Sequence, residues 1–218
     1  MLFRSNVDEE KGDWLREIRQ LATHPKVAAI GETGLDYHHL PSEKLASAPA
    51  ISALQAEMPQ DAEAAIIDGA YKAAQAEAFA AQLELAAELG LNVVIHQRDA
   101  WDDTLAIIKN FTGKLRGVFH CFGNTPDQAR EILALGHLVS FTGIVTFKNA
   151  KALQAVARAV PLSRMLIETD SPYLAPVPMR GKTNEPGFVR HVAEYLADLK
   201  GVPLDTLAEA TSQNFRSL

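Results

Sequence analysis

The chain has 218 residues, of which 47% are hydrophobic, and it carries a formal net charge of -6 at pH 7. This length and composition are sufficient for the core of a single domain spanning residues 1–218. Because the net charge is negative, the protein surface as a whole does not attract polyanions. A contact with nucleic acid would therefore depend on a local basic patch or on bound cations. Cys121 is the single cysteine, which excludes an intramolecular disulfide.

The beginning of the sequence predicts where the protein is found. The opening residues MLFRSNVDEEKGDW lack the apolar core of a signal peptide. No stretch approaches the roughly 20 apolar residues that a membrane helix needs. We therefore expect a cytoplasmic protein without membrane contacts.

Short apolar runs alternate along the chain with longer amphipathic stretches, which is typical of parallel βαβ units. The runs predict strands at residues 27–30, 91–95, 117–119, 138–141 and 165–167. The amphipathic stretches predict helices at residues 76–89, 102–109, 125–135, 149–160, 188–199 and 204–215. Because the strand runs are almost wholly apolar, we expect them to be covered on both faces. The pattern predicts an α/β fold.

Residues from about 40 to 72 interrupt this alternation. The segment is rich in alanine, serine and proline, has weak helical character and carries no strand signal. It is predicted to be an insertion between the first strand and its helix. Long segments of this kind are either functional or mobile, so a lid over the site and a mobile excursion remain alternatives.

Polar residues that can bind metals follow most of the predicted strands. Four of the five strands are followed by Glu32, His96, His120 and Asp170, and the remaining run ends in Ser140, Thr142 and Gly143. In a parallel barrel the carboxyl ends of all strands face the same mouth. Imidazole suits zinc and similar ions, and a carboxylate can bridge two ions. A structural histidine or a turn-forming aspartate explains any one of these residues, but the four together predict a hydrolytic divalent-metal site.

Several motifs, in order, resemble those of the TatD family of metal-dependent deoxyribonucleases. They are AIGETGLDY, VVIHQRDAW, HCFGNT, SFTGIVTFKN, ETDSPYLAPVPMRGKTNEP and ATSQNFRSL. The resemblance runs from about Trp14 to the carboxyl terminus, apart from the insertion. It implies a TIM-like (β/α) barrel of the metal-dependent hydrolase type with two divalent ions, either Mg²⁺, Mn²⁺ or Zn²⁺. In that pattern Glu32 bridges both ions, His96 and His120 bind one, and Asp170 binds the other. Glu32 and Asp170 are then the catalytic residues.

One part of the family pattern is missing from this sequence. The family opens with a strand that carries a His-x-His pair, and no His-x-His occurs here. The sequence therefore predicts an incomplete barrel that lacks the first strand–helix–strand unit. Without the histidine pair of that unit, we expect one of the two metal sites to be weakened. We expect poor stability or a compensating dimer. His38 is an alternative ligand, and an ordinary loop histidine is the other interpretation.

Basic and aromatic residues near these motifs are candidates for substrate contacts. Arg98, Arg180 and Lys182 are predicted to hold substrate phosphates, with Lys148 as a further candidate, whereas solvated surface charge is the alternative for each. Tyr37, Phe122 and Tyr173 either stack on bases or pack in the core. His137 and His191 are predicted to lie on the surface.

The resemblance implies hydrolysis of DNA phosphodiester bonds, with a 3′→5′ exonuclease as the more specific form. Two alternatives remain at this stage. One is a metal-dependent hydrolase of a different ester or of an amide, because related barrels support several chemistries. The other is a truncated, catalytically impaired member of the family.

Overall fold

The computed structural model describes residues 13–46 and 60–218, apart from the side chains of residues 44–46 and 60. The chain divides into two compact units, Met1–Phe111 and Thr112–Leu218. The described residues form five strands and eight α-helices. The central part of the predicted insertion, residues 47–59, lies outside the described residues. The predictions of one domain and of an insertion at about 40–72 stay predictions.

The first unit contains a parallel pair of strands covered by helices. Its described elements are α1 (Trp14–Ala22), β1 (Ala29–Asp36), α2 (Pro41–Ala46), α3 (Gln60–Leu89), β2 (Asn92–Arg98) and α4 (Trp101–Lys109). β1 pairs in parallel with β2, and the register shifts between Ile30 and Thr33. Phe79 and Leu83 of α3 are fully buried, as are Leu35 of β1 and Ile95 of β2. This core holds the carboxyl ends of both strands in place.

The second unit continues the strand–helix alternation. Its elements are β3 (Gly117–Phe119), α5 (Pro126–Ala134), β4 (Leu138–Phe141), α6 (Lys151–Ala159), β5 (Met165–Ile167), α7 (Val189–Lys200) and α8 (Leu204–Arg216). β4 pairs in parallel with both β3 and β5. Short 3₁₀ turns occur at Gly143–Thr146, Leu162–Arg164 and Pro186–Phe188. Thr125 begins α5 with a capping box, in which its hydroxyl accepts the backbone N–H of Gln128.

The largest differences from the predicted elements lie in the first unit. β1 was predicted to end at Ile30 but continues to Asp36, and β2 continues beyond His96 to Arg98. α3 begins at Gln60 instead of residue 76, so part of the predicted insertion is helical. Alanine has the highest helix propensity, and this stabilises the first half of α3 without an amphipathic pattern. In the described ranges, no helix combines the length and hydropathy that a bilayer span requires.

The prediction that His137 lies on the surface is wrong. Its side chain is 2% exposed and packs edge-on against Phe119, with the ring centroids 5.8 Å apart. Among the described residues, its Nδ1 atom has no hydrogen-bond partner. Burial lowers the pKa of His137 to about 4 because the charged imidazolium would lose its hydration.

His137 should therefore make the protein sensitive to acid. The unfolded chain takes up this proton near pH 6.5, whereas the folded protein resists it until about pH 4. As the pH falls through this window, protonation favours the unfolded state and removes roughly 3 kcal/mol of stability. We expect the denaturant midpoint of His137→Leu to change less between pH 7 and pH 4 than that of the parent protein. His24→Gln, at an exposed loop position, is the control, and equal pH dependence in His137→Leu and the parent would refute the assignment.

Candidate metal centre

Glycines in β1 allow this strand to lie unusually close to β2 beside Glu32. Gly34 is opposite His96 in the register. A Cβ atom on Gly34 would lie 1.9 Å from the carbonyl oxygen of His96, and one on Gly31 would lie 2.6 Å from Cβ of Val94. Only glycine fits at such distances. The glycines thus allow close contact between the strands, and β1 continues through them to Asp36.

Glu32 and His96 meet across this close contact. Oε1 of Glu32 lies 2.7 Å from Nδ1 of His96, and the two side chains are 21% and 13% exposed. A partly buried carboxylate and imidazole in contact are donor groups suited to a divalent transition metal. The structure therefore brings together the two metal ligands predicted in the first unit.

Asp36, at the end of β1, lies on the other side of the same imidazole. Its Oδ2 atom is 3.5 Å from Nε2 of His96, and its Oδ1 atom accepts the backbone N–H of His38 at 2.9 Å. The buried Gln75 side chain accepts the backbone N–H of Asp36 at 2.8 Å and donates to its carbonyl at 3.0 Å. A glutamine amide thus completes the backbone hydrogen bonding at the end of β1.

His38 and Asp99 form a second histidine–carboxylate pair in the first unit. Nδ1 of His38 lies 2.7 Å from Oδ2 of Asp99, and the imidazole is 38% exposed. Asp99 has a positive φ of 55°. His38 is therefore positioned by a carboxylate, and its role as an alternative metal ligand stays a prediction.

In the second unit, His120 follows β3 and Glu168 follows β5. Nδ1 of His120 lies 3.7 Å from Oε2 of Glu168. The other carboxylate oxygen of Glu168 accepts the backbone N–H of Cys121 at 2.6 Å. Cys121 has a positive φ of 45°, a conformation that non-glycine residues adopt at a cost. Glu168 thus fixes both the imidazole and the turn that follows it.

Glu168 carries a charge at neutral pH despite its partial burial. Burial raises the pKa of this carboxyl. The nearby His120 imidazole, the backbone N–H of Cys121 and the Ser140 hydroxyl outweigh that effect and lower the pKa below its ordinary value. The ionised carboxylate therefore holds His120 electrostatically as well as sterically.

The loop that carries Asp170 is fastened by one buried amide. Asp170 has a positive φ of 57°. The side chain of Asn184, 3% exposed, donates to the carbonyl oxygens of Thr169 at 2.8 Å and of Tyr173 at 2.6 Å. These two hydrogen bonds anchor the loop. Asn184 therefore sets the position of the backbone around Asp170.

The predicted phosphate-binding residues are all exposed. They are Arg98 and, in the second unit, Lys148, Arg180 and Lys182. The guanidinium of Arg180 lies 4.1 Å from the centre of the Phe147 ring, a cation–π contact that orients it. Arg180 is therefore the most preorganised of these cations, and phosphate binding by all four stays a prediction.

The three aromatic candidates differ in exposure. Tyr173 is 70% exposed and stays a candidate for stacking on a base. Phe122 is 4% exposed, which favours the core-packing alternative. Tyr37 is half-buried, and its hydroxyl donates to Asp103 at 2.8 Å. Burial, followed by this hydrogen bond, raises the pKa of Tyr37.

Three supporting residues were not assigned from the sequence. Asp36 ends β1 a few residues after Glu32, and Glu168 follows β5 shortly before Asp170. This nearness in sequence was the signal available. Gln75 lies within a helix and gave no local signal, because its hydrogen bonds to Asp36 join residues 39 positions apart. Such contacts arise only from tertiary packing.

Sequence comparisons connect the whole described chain to one family. The sequence profile described as TatD related DNase matches residues 4–218. An Escherichia coli K12 protein named uncharacterized metal-dependent hydrolase YcfH is 43% identical over 205 residues, which cover 94% of this chain and 67% of that protein. An Erwinia billingiae protein named 3′-5′ ssDNA/RNA exonuclease TatD is 33% identical over 219 residues, covering 98% of this chain and 73% of that protein.

A solved structure supports the fold. The crystal structure of YJJV, a TatD homologue from Escherichia coli K12, matches with a TM-score of 0.77 and 24% sequence identity, covering 98% of this chain and 72% of that one. This similarity confirms the predicted fold class, an α/β fold of the TIM-like barrel type. The predicted incompleteness of the barrel stays a prediction.

Proposed function

The chain belongs to the TatD-related DNase family, and on that premise we propose that it is a metal-dependent hydrolase of DNA phosphodiester bonds, acting from the 3′ end of single strands. The contact of Glu32 with His96 at 2.7 Å is the observation that supports this most directly. It places a carboxylate and an imidazole, both partly buried, where a divalent ion can be held. The donor types fit the metal that the family implies.

We propose that Glu32 and His96 of the first unit are metal ligands, and that His120 and Asp170 of the second unit are metal ligands as well. Divalent ions held there supply Lewis-acid polarisation of a phosphate and make a bound water a better nucleophile. Mg²⁺, Mn²⁺ and Zn²⁺ are the candidate ions, and two of them are proposed. The other tasks belong to the protein's own side chains.

Those side chains orient the ligands and the substrate. Ionised Glu168 holds the His120 imidazole, and Asn184 fixes the loop of Asp170. The exposed guanidinium of Arg180, in cation–π contact with the Phe147 ring, is proposed to bind a phosphate of the strand. The exposed ring of Tyr173 offers a stacking surface for a base. Contacts of this kind suit a flexible single strand, whose bases are accessible.

The test is hydrolysis of 3′- and 5′-labelled single-stranded DNA by the purified chain with added Mg²⁺, Mn²⁺ or Zn²⁺. We expect shortening from the 3′ end that stops when the ions are chelated and resumes when they are restored. Activity that survives in His120→Asn would come from a contaminant. Cleavage of carboxylic esters or amides without cleavage of DNA would establish the alternative substrate class, and no cleavage of any of these would refute the proposal.

Arg180 should contribute binding rather than chemistry. We expect Arg180→Ala to weaken single-stranded DNA binding about tenfold and to reduce the slope of log affinity against log salt by about 1, as loss of one phosphate contact does. Fluorescence anisotropy in a Glu32→Gln background avoids cutting the probe. Arg190→Ala is the matched control, because Arg190 is exposed and pairs with Glu194. Equal salt slopes in the two variants would rule out a phosphate contact by Arg180.

A further inference from the structure

The two ring nitrogens of His96 face two different carboxylates. Nδ1 lies 2.7 Å from Glu32, and Nε2 lies 3.5 Å from Asp36. A neutral imidazole has one protonated nitrogen and one with a free electron pair, and the hydrogen bond made by one nitrogen decides which is which. A metal ligand must present the free pair to the ion. The surroundings of His96 therefore decide which atom can bind.

Asp36, on the Nε2 side of the ring, is held in place by several hydrogen bonds. The Gln75 amide binds both its backbone N–H and its carbonyl. Its Oδ1 atom is occupied by the backbone N–H of His38, which turns Oδ2 towards Nε2 of His96. The Asp36 carboxylate is 18% exposed, so water screens this contact only weakly. The Oδ2 atom is thus directed towards Nε2, where it can act as a hydrogen-bond acceptor.

We propose that Asp36 is a positioning residue that accepts the Nε2–H of His96 and so leaves Nδ1, on the Glu32 side, to bind the metal ion. This inference rests on the proposed function, because it assumes that His96 is a ligand. A carboxylate behind a metal-binding histidine fixes the tautomer and ring orientation and strengthens the ligand, and its loss typically weakens metal binding 10- to 100-fold. At 3.5 Å the two atoms are too far apart for a strong hydrogen bond, so the proposal requires this contact to shorten when an ion binds.

The first measurement is the Zn²⁺ affinity and stoichiometry of the full chain by titration calorimetry. We expect Asp36→Ala to bind Zn²⁺ about 10- to 100-fold more weakly than the parent with unchanged stoichiometry. Asp36→Asn should recover part of the loss, because its amide oxygen can still accept the Nε2–H. Because Asn has a single carbonyl oxygen, it cannot accept the His38 N–H at the same time, so the recovery is only partial. It keeps the size of the side chain and keeps the test valid if Asp36→Ala folds poorly.

Asp68→Asn is the matched control. Asp68 also accepts a backbone N–H, from Ser42 at 3.0 Å, but its second oxygen faces a serine hydroxyl instead of an imidazole. We expect this variant to bind Zn²⁺ as the parent does. A comparable loss in Asp68→Asn would mean that removing any such carboxylate perturbs the unit, which would overturn the assignment.

The second measurement reports the tautomer itself. Long-range ¹H–¹⁵N spectra of the Zn²⁺-loaded parent should show His96 protonated at Nε2, and Asp36→Ala should lose this single form. Equal Zn²⁺ affinity in Asp36→Ala, or protonation at Nδ1 in the parent, would overturn the inference while leaving the proposed function standing. Loss of a whole equivalent of Zn²⁺ in Asp36→Ala would make Asp36 a ligand and overturn it as well. A parent that binds no Zn²⁺, Mg²⁺ or Mn²⁺ would refute the proposed function and the inference together.

Discussion

Gly34→Ala is expected to lower the free energy of unfolding by roughly 4 kcal/mol. The new Cβ atom would meet the His96 carbonyl oxygen at 1.9 Å and its carbonyl carbon at 2.8 Å. Both are rigid backbone atoms, so β1 and β2 must separate. The φ of 146° at Gly34 adds strain, because residues with a side chain rarely adopt it. For a chain of this length the change corresponds to a drop of about 10 °C in the thermal midpoint.

Gly69→Ala provides the matched control for this substitution. Gly69 lies inside α3, and a Cβ atom there would have nothing within 4 Å. Alanine favours helix, so this variant should be more stable by about 1 kcal/mol. Thermal or denaturant unfolding of the two variants beside the parent measures both effects. If Gly34→Ala were as stable as Gly69→Ala, β1 and β2 could not lie as close together at Gly34 and His96 as the structure places them.

The second unit was the easier part of the fold to predict. β3, β4 and β5 begin and end where their apolar runs do, because each is short and almost wholly buried. Hydrophobicity alone carries the signal in such strands. In β1, by contrast, Gly31, Glu32 and Gly34 lie inside a paired strand, where residue preferences would place a turn. The departure from local preference occurs at the proposed functional residues, where such conflicts are expected.

The residues of the candidate site also differ in whether the sequence could predict them. Glu32 and His96 could be selected because their residue types suit metal binding and each follows an apolar run of the sequence. The residues that orient them could not be assigned, since Gln75 reaches Asp36 only through the packing of α3 against β1. The burial of His137 was hidden for a similar reason, because a histidine beside a glycine has the composition of a surface loop. The residue types that can bind a metal were recognisable from the sequence, but the residues that hold them in position were not.

Glu32→Gln is expected to reduce DNA hydrolysis by about 10³-fold or more while leaving the fold intact. The substitution keeps the size of the side chain and an oxygen that can face Nδ1 of His96, but it removes the negative charge. A neutral amide is a poor ligand for a bridging position between two cations, and lost stabilisation of several kcal/mol in the transition state amounts to this factor. The number of tightly bound divalent ions per chain should fall as well.

Rates under saturating Mn²⁺ and metal content after gel filtration measure the two consequences of Glu32→Gln separately. Glu77→Gln is the control, because Glu77 is exposed on α3 of the same unit and carries the same charge. A fall in rate with unchanged metal content would contradict a bridging role and leave Glu32 acting on the substrate or on water. An unchanged rate would remove Glu32 from the site, and the glycines beside it would then have a purely structural purpose, holding β1 against β2.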